Sequence, residues 1–131
     1  MDTSRWPLVL LTHEGQASDE ALRAHLDEVE REVLGRRRLF VQVVDQLRGE
    51  RPNPIQRTII ARHHGRMAEL YQRYCRGQVY AAGPELRSAM VAVFWREPPR
   101  YPYTFVATME EALAWARERL ADAGRPGSQA E

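Results

Sequence analysis

Short apolar runs alternate with longer segments of helical periodicity along this chain. The four runs are residues 6–12, 39–45, 79–82 and 103–107. The first run, WPLVLLT, is continuously apolar instead of alternating, which is typical of a strand covered on both faces. Because strand and helix alternate from end to end, we predict an α/β fold, a mainly parallel sheet of four to five strands alternating with four helices. Residues 2–5 are the candidate for the additional strand, at the edge of the sheet.

Each of the four predicted helices begins at a recognisable local signal. These signals are the N-cap Ser18, the Asn53-Pro54 pair, the Gly83-Pro84 pair and Thr108. Thr108 and Glu111 have the spacing of a capping box for the last helix. The sequence after that helix is rich in Gly, Pro and polar residues. We therefore predict one domain over residues 1–121, followed by a disordered tail over residues 122–131.

Charge and composition exclude several classes of partner. Nineteen basic and eighteen acidic residues nearly cancel, so no net field favours nucleic acid or an anionic membrane. The longest apolar runs have only a few residues, far fewer than the roughly 20 that span a bilayer. Cys75 is the single cysteine, and the start of the chain lacks a signal-peptide profile. We expect a cytoplasmic protein without membrane insertion.

The segment over residues 39–57 is the most informative part of the sequence. It joins an apolar strand to the acidic Asp45, a polar loop and a helix start. Ligands and partners of open α/β sheets usually bind at the carboxyl ends of the strands. Between Asp45 and Arg57 there is no Ser, Thr, Cys or His that could serve as nucleophile, phosphoacceptor or base. The segment is thus predicted to bind a partner without catalysis, through Asp45, Arg48, Arg51, Asn53, Pro54 and Arg57.

The four histidines do not form a recognisable metal or catalytic motif. His63 and His64 are adjacent in the second predicted helix, where neighbouring side chains point about 100° apart. We expect His63 to be partly buried and His64 to lie at the surface. His13 and His25 have no cysteine or carboxylate spaced to complete a ligand set. We therefore predict no metal, no cofactor and no catalytic residues.

The third predicted helix is apolar on more than one side. Five of its residues are expected to cover the sheet: Leu86, Ala89, Met90, Val93 and Phe94. Val91 and Trp95 project from the opposite side, and together with Tyr101 they are candidates for a homodimer face or a partner contact. The alternative, which the sequence leaves open, is that Trp95 folds under the proline-rich residues 98–102.

The order of elements resembles the STAS fold, the sulfate-transporter and anti-sigma-factor-antagonist domains. The closing segment TFVATMEEALAWARERL is similar to the ending of small bacterial STAS-like proteins related to sporulation anti-sigma-factor antagonists. This resemblance covers residues 5–121. It implies a single STAS-like domain with a regulatory, signalling role and a phosphorylatable serine at the start of the second helix.

Asn53-Pro54 occupies the place of that serine, and neither residue can accept a phosphoryl group. The resemblance thus implies a non-catalytic regulatory or scaffolding domain that binds another protein without a phosphorylation switch. The alternative is a small-ligand module for a nucleotide or lipid, in which Arg48, Arg51 and Arg57 meet a phosphate.

Overall fold

The computed structural model describes residues 1–123, a sheet with helices on both of its faces. The strands are β1 (Asp2–Arg5), β2 (Leu8–Gly15), β3 (Phe40–Gly49), β4 (Cys75–Ala81) and β5 (Tyr103–Val106). The helices are α1 (Asp19–Glu32), α2 (Pro54–Arg66), α3 (Ala68–Tyr74), α4 (Pro84–Arg96) and α5 (Met109–Ala123), with a 3-10 turn over Leu34–Arg36.

The strands follow one another in the sheet in the same order as in the chain. β1 pairs antiparallel with β2, whereas β2, β3, β4 and β5 are parallel neighbours. Each parallel step needs a crossover connection, and the helices between the strands supply it. The predicted α/β class, the mainly parallel sheet and the edge strand at residues 2–5 are confirmed.

The described helices number five instead of four because the second predicted helix is broken. α2 ends at Arg66, Met67 has φ −102° and ψ 7°, and α3 continues the chain from Ala68. Gly65, just before the break, has a low helix propensity and is typical of kink sites. The first, second and last helices begin where the sequence predicts, since Ser18, Asn53 and Thr108 each accept a backbone N–H of the following turn.

Several predicted boundaries are wrong. β2 spans Leu8–Gly15 instead of residues 6–12. β3 continues to Gly49, four residues past Asp45, because Arg48 and Gly49 pair with Glu14 and Gly15 of β2. β4 begins at Cys75 instead of residue 79, where it pairs with the start of β3. α5 continues through Ala123, so residues 122 and 123 are not part of a tail. The rest of the predicted tail, residues 124–131, lies outside the described residues.

Successive strand residues point to opposite faces, and the core accordingly has two parts. On one face, Ala112 and Ala116 of α5 pack against buried residues of the central strands. On the other face, the remaining helices cover a larger cluster, which contains Val9, Leu11, Val29, Val33, Leu34, Phe40, Val44, Tyr71, Cys75, Tyr80 and Tyr101. None of the helices in residues 1–123 is long and apolar enough to cross a membrane.

Strand β4 packs so closely against α5 that one position has no room for a side chain. A Cβ atom at Gly77 would lie 2.8 Å from Cη2 of Trp115. Cys75, two residues earlier, is fully buried, and its Sγ–H donates to the Gly77 carbonyl at 3.4 Å. Burial raises the pKa of this thiol to about 12. The lone cysteine is therefore a core residue with no reactive thiolate at neutral pH.

Two expectations for the region around α4 need correction. Tyr101 is buried, and its hydroxyl donates to Oε1 of Gln78 at 2.6 Å. Its ring packs beside Tyr71. Because the side chain is buried, it is not available for the predicted contact with a partner. Val93 is 56% exposed instead of covering the sheet, because α4 packs on the core through Met90 and Phe94.

Candidate functional site

A shallow cavity lies at the carboxyl ends of β2 and β3. Its volume is about 270 Å³, and its lining consists of Thr12, His13, Glu14, Asp45, Leu47 and Arg48. Two of the predicted site residues, Asp45 and Arg48, belong to this lining. Thr12, His13 and Glu14 were missed because strand pairing, which is not a local property of the sequence, brings the end of β2 beside β3. The signal that points to these three is the polar sequence THEG at the end of an apolar strand. The sixth lining residue, Leu47, belongs to β3 itself.

Asp45 shapes the end of its own strand. Its Oδ1 accepts the backbone N–H of Leu47 at 3.1 Å. Within residues 1–123 this carboxylate holds the local backbone and forms no ion pair with Arg48 or Arg51.

Asn53 fixes the start of α2. Its side chain accepts the N–H of Gln56 at 2.8 Å, and the Gln56 side chain accepts the N–H of Asn53, which completes a capping box. The buried Gln56 amide also donates to the carbonyl of Ala17 at 2.7 Å. Pro54 occupies the first helical turn, where a missing N–H costs nothing. Asn53 and Pro54 thus position the start of α2, and the side chain of Asn53 is engaged in the cap.

The three predicted arginines are exposed. Arg48 ends β3, Arg51 lies in the following loop, and Arg57 lies in the first turns of α2. Within the described part of the chain, none of the three side chains has an ion pair or hydrogen bond, so their donors face solvent.

Two apolar side chains, which the sequence analysis overlooked, accompany these arginines. Leu47 is 42% exposed and Ile55 is 60% exposed. The overlooked signal is that both apolar residues stand within an otherwise polar stretch.

A pair of histidines lies beside the cavity. His13 is at the irregularity that ends the regular pairing of β2, and its Nε2 lies 3.2 Å from Nε2 of His25 in α1. The side-chain amide of Gln46 meets Nδ1 of His13. Burial, reinforced by the neighbouring His25, lowers the pKa of His13 to about 4, and burial also lowers the pKa of His25. Both rings are therefore neutral at pH 7.

The remaining two histidines belong to a buried network between α1 and α2. His63 Nδ1 lies 2.8 Å from Oε2 of Glu30, and its Nε2 lies 2.7 Å from the hydroxyl of Tyr71. Burial lowers the pKa of His63 and, to about 4, that of His64. Burial opposes ionisation of Glu30, yet the hydrogen bonds from His63 and Arg66 outweigh it and lower the Glu30 pKa.

The carboxylate of Glu30, the imidazole of His63 and the hydroxyl of Tyr71 follow one another as the groups of a catalytic relay do, but the resemblance ends there. His63 is 1% exposed and Tyr71 is 3% exposed, so a substrate cannot reach either of them. His63 is fully buried, beyond the partial burial predicted. His64 is half-buried instead of lying at the surface, because it packs on Tyr71 at a ring-centroid distance of 5.2 Å. The network joins α1 and α2 through Glu30 and His63 and extends to Tyr71 of α3.

The apolar side of α4 lies in solvent. Trp95 is 86% exposed and Val91 is 47% exposed, so Trp95 does not fold under the proline-rich residues. Their use in a homodimer or partner contact stays a prediction.

The described fold is an α/β domain with a mainly parallel five-stranded sheet, one antiparallel edge strand and helical crossovers. The chain is similar to the crystal structure of an uncharacterized protein from the DUF3478 family with a SpoIIAA-like fold, from Shewanella loihica PV-4. Sequence identity is 13%, the alignment covers 81% of this chain and 79% of that one, and the TM-score is 0.48. No protein-family model and no curated protein matches the sequence.

Proposed function

We propose that this STAS-like domain is a non-catalytic regulatory or scaffolding module that binds another protein through the end of β3 and the start of α2. The observation that carries the proposal is the combination of exposed Leu47 and Ile55 with the solvent-facing Arg48, Arg51 and Arg57. Apolar side chains flanked by arginine are typical of the anchors of protein interfaces. The partner surface it fits is acidic, with an apolar centre.

Positioning of this surface also favours recognition over catalysis. The capping box at Asn53 and the bond from Gln56 to the Ala17 carbonyl hold α2 against the loop that follows β2. A surface held in this way loses little conformational entropy when it binds. Since Asn53 and Pro54 occupy the helix start, the proposed binding is independent of phosphorylation at this position.

Binding of a small ligand is the weaker candidate. The cavity of about 270 Å³ is below the roughly 300–1,000 Å³ usual for small-molecule sites. A thermal-shift panel of nucleotides and lipids tests it, because a ligand at 100 times its Kd adds about 2.7 kcal/mol to the free energy of unfolding. A shift that Arg48→Glu abolishes would favour the ligand module over the protein-binding module.

The proposed protein-binding surface is tested by comparing two variants of the full chain as affinity baits in a lysate of the source organism. One carries Arg48→Glu with Arg57→Glu, and the matched control carries Arg117→Glu on the exposed side of α5. Because like charges facing across an interface cost several kcal/mol, we expect about a tenfold or greater loss of the partner with the first variant. Quantitative mass spectrometry should show normal recovery with the control. Equal recovery by both variants refutes the proposed surface.

A further inference from the structure

The distance between His13 and His25 fits two ligands of one metal ion. Their Nε2 atoms are 3.2 Å apart. Two imidazole nitrogens bound to zinc at 2.0–2.1 Å with a tetrahedral angle lie about 3.3 Å apart. An ion placed at this bond length from both atoms has an N–metal–N angle of roughly 100°, which is within the range of a four-coordinate site.

The separation of the two rings also agrees with a shared metal ion. The ring centroids are 5.0 Å apart and the planes are nearly perpendicular, at 88°. A linear hydrogen bond along both ring axes places the centroids roughly 5.5 Å apart at this N···N distance, whereas a shared ion with the bent angle above places them about 5.0 Å apart. The observed centroid distance of 5.0 Å is that of the bent arrangement.

The surroundings of His13 complete what a metal-binding histidine needs. Such a ring donates its other N–H to an oxygen, which fixes its orientation. The Gln46 amide lies at Nδ1 of His13, and a half-turn of that amide presents its oxygen to Nδ1–H.

The other histidines lack this freedom or this geometry. Both ring nitrogens of His63 are occupied, by Glu30 and by Tyr71. No group of three or more His, Cys, Asp or Glu side chains within residues 1–123 could hold a metal. A metal at His13 and His25 would therefore take its remaining ligands from water. His13 also lines the cavity of about 270 Å³.

We propose that His13 and His25 bind a divalent first-row transition metal, zinc or copper in class, through their facing Nε2 atoms. This site does not depend on the protein-binding function proposed above. From the sequence, both residues were set aside because no cysteine or carboxylate is spaced to complete a ligand set with them. They lie on β2 and α1, and only packing of the helix on the sheet brings them together.

Titration calorimetry of Zn²⁺ into the chelator-stripped full chain at neutral pH tests the site. We expect one equivalent of zinc to bind to the wild type, and His13→Gln and His25→Gln each to weaken the affinity at least about tenfold. His64→Gln, which leaves both ligands in place, is the matched control and should bind as the wild type does. Gln46→Ala keeps the ligands but frees the ring of His13, so we expect about a tenfold loss.

Electron paramagnetic resonance of bound Cu²⁺ counts the nitrogen ligands directly. It therefore distinguishes metal binding by these histidines from a purely structural role. The wild-type spectrum should show two nitrogen ligands, and the His25→Gln spectrum one. Absence of saturable zinc binding at millimolar concentration overturns the proposal and leaves a hydrogen-bonded pair only. Binding that survives both ligand substitutions overturns it as well, since the metal then lies elsewhere. If a variant fails to fold by circular dichroism, fewer than two nitrogens in the wild-type spectrum is still decisive.

Discussion

Acid should destabilise this domain well before its carboxylates are protonated. The pKa values of His13 and His64 are lowered by burial from 6.5 to about 4. Each ring must therefore take up a proton when the chain unfolds below about pH 6.5, and the free energy of unfolding falls as the pH drops from 6.5 toward 4. The lowered pKa values of His25 and His63 act in the same direction.

The magnitude follows from proton linkage. A histidine with a pKa of about 4 when folded and 6.5 when unfolded loses about 2 kcal/mol of stability between pH 7 and pH 5. His13 and His64 together account for about 3 to 4 kcal/mol, a large fraction of the roughly 5–15 kcal/mol of an ordinary domain. Glu30 does not change the expected loss between pH 7 and pH 5, because its lowered pKa affects stability only at lower pH.

Urea unfolding of the metal-free chain at pH 7 and at pH 5, followed by circular dichroism, measures the effect. The urea midpoint should fall at pH 5 with an unchanged m-value. His64→Gln removes one of the two most perturbed groups, so this variant should lose about 2 kcal/mol less than the wild type over the same interval. A wild type that is equally stable at both values, or a variant with an unchanged pH dependence, refutes the reasoning.

Three further substitutions test the packing and the caps by urea unfolding at pH 7. Tyr101→Phe leaves the buried Oε1 of Gln78 without its donor and should cost about 1–3 kcal/mol; no change in midpoint contradicts the buried bond. Asn53→Ala removes the capping box and should cost about 1 kcal/mol, whereas a neutral result means that α2 does not need its cap. Gly77→Ala pushes a methyl group into Trp115 and should cost about 1–3 kcal/mol, with altered indole fluorescence; an unchanged spectrum contradicts the close approach.

Local signals of the sequence are sufficient for much of the fold. Ser18, Asn53 and Thr108 cap helices as predicted, because a cap depends only on residues within one turn. The mainly parallel direction of the strands follows from the alternation of apolar runs and helices. The end of β3 was not predictable in the same way, because Gly49 belongs to the strand only through its partner Gly15 on β2.

The candidate site shows the same division. Asp45 and Arg48 could be placed at the sheet edge from the end of the apolar run alone. The approach of His13 and His25 and the burial of Tyr101 beside Tyr71 depend on how helices dock on the sheet. Periodicity within one segment carries no information about which residue of another segment it will meet.

Chemical labelling of the buried Cys75 can report on unfolding of the protein without an added probe site. Its thiol lies at the start of the parallel strand β4, fully covered, with a pKa raised to about 12. A thiol-labelling reagent can react only when this strand is released, because both exposure and thiolate formation require it. The labelling rate of an otherwise cysteine-free chain thus reads out how often the centre of the sheet opens under native conditions.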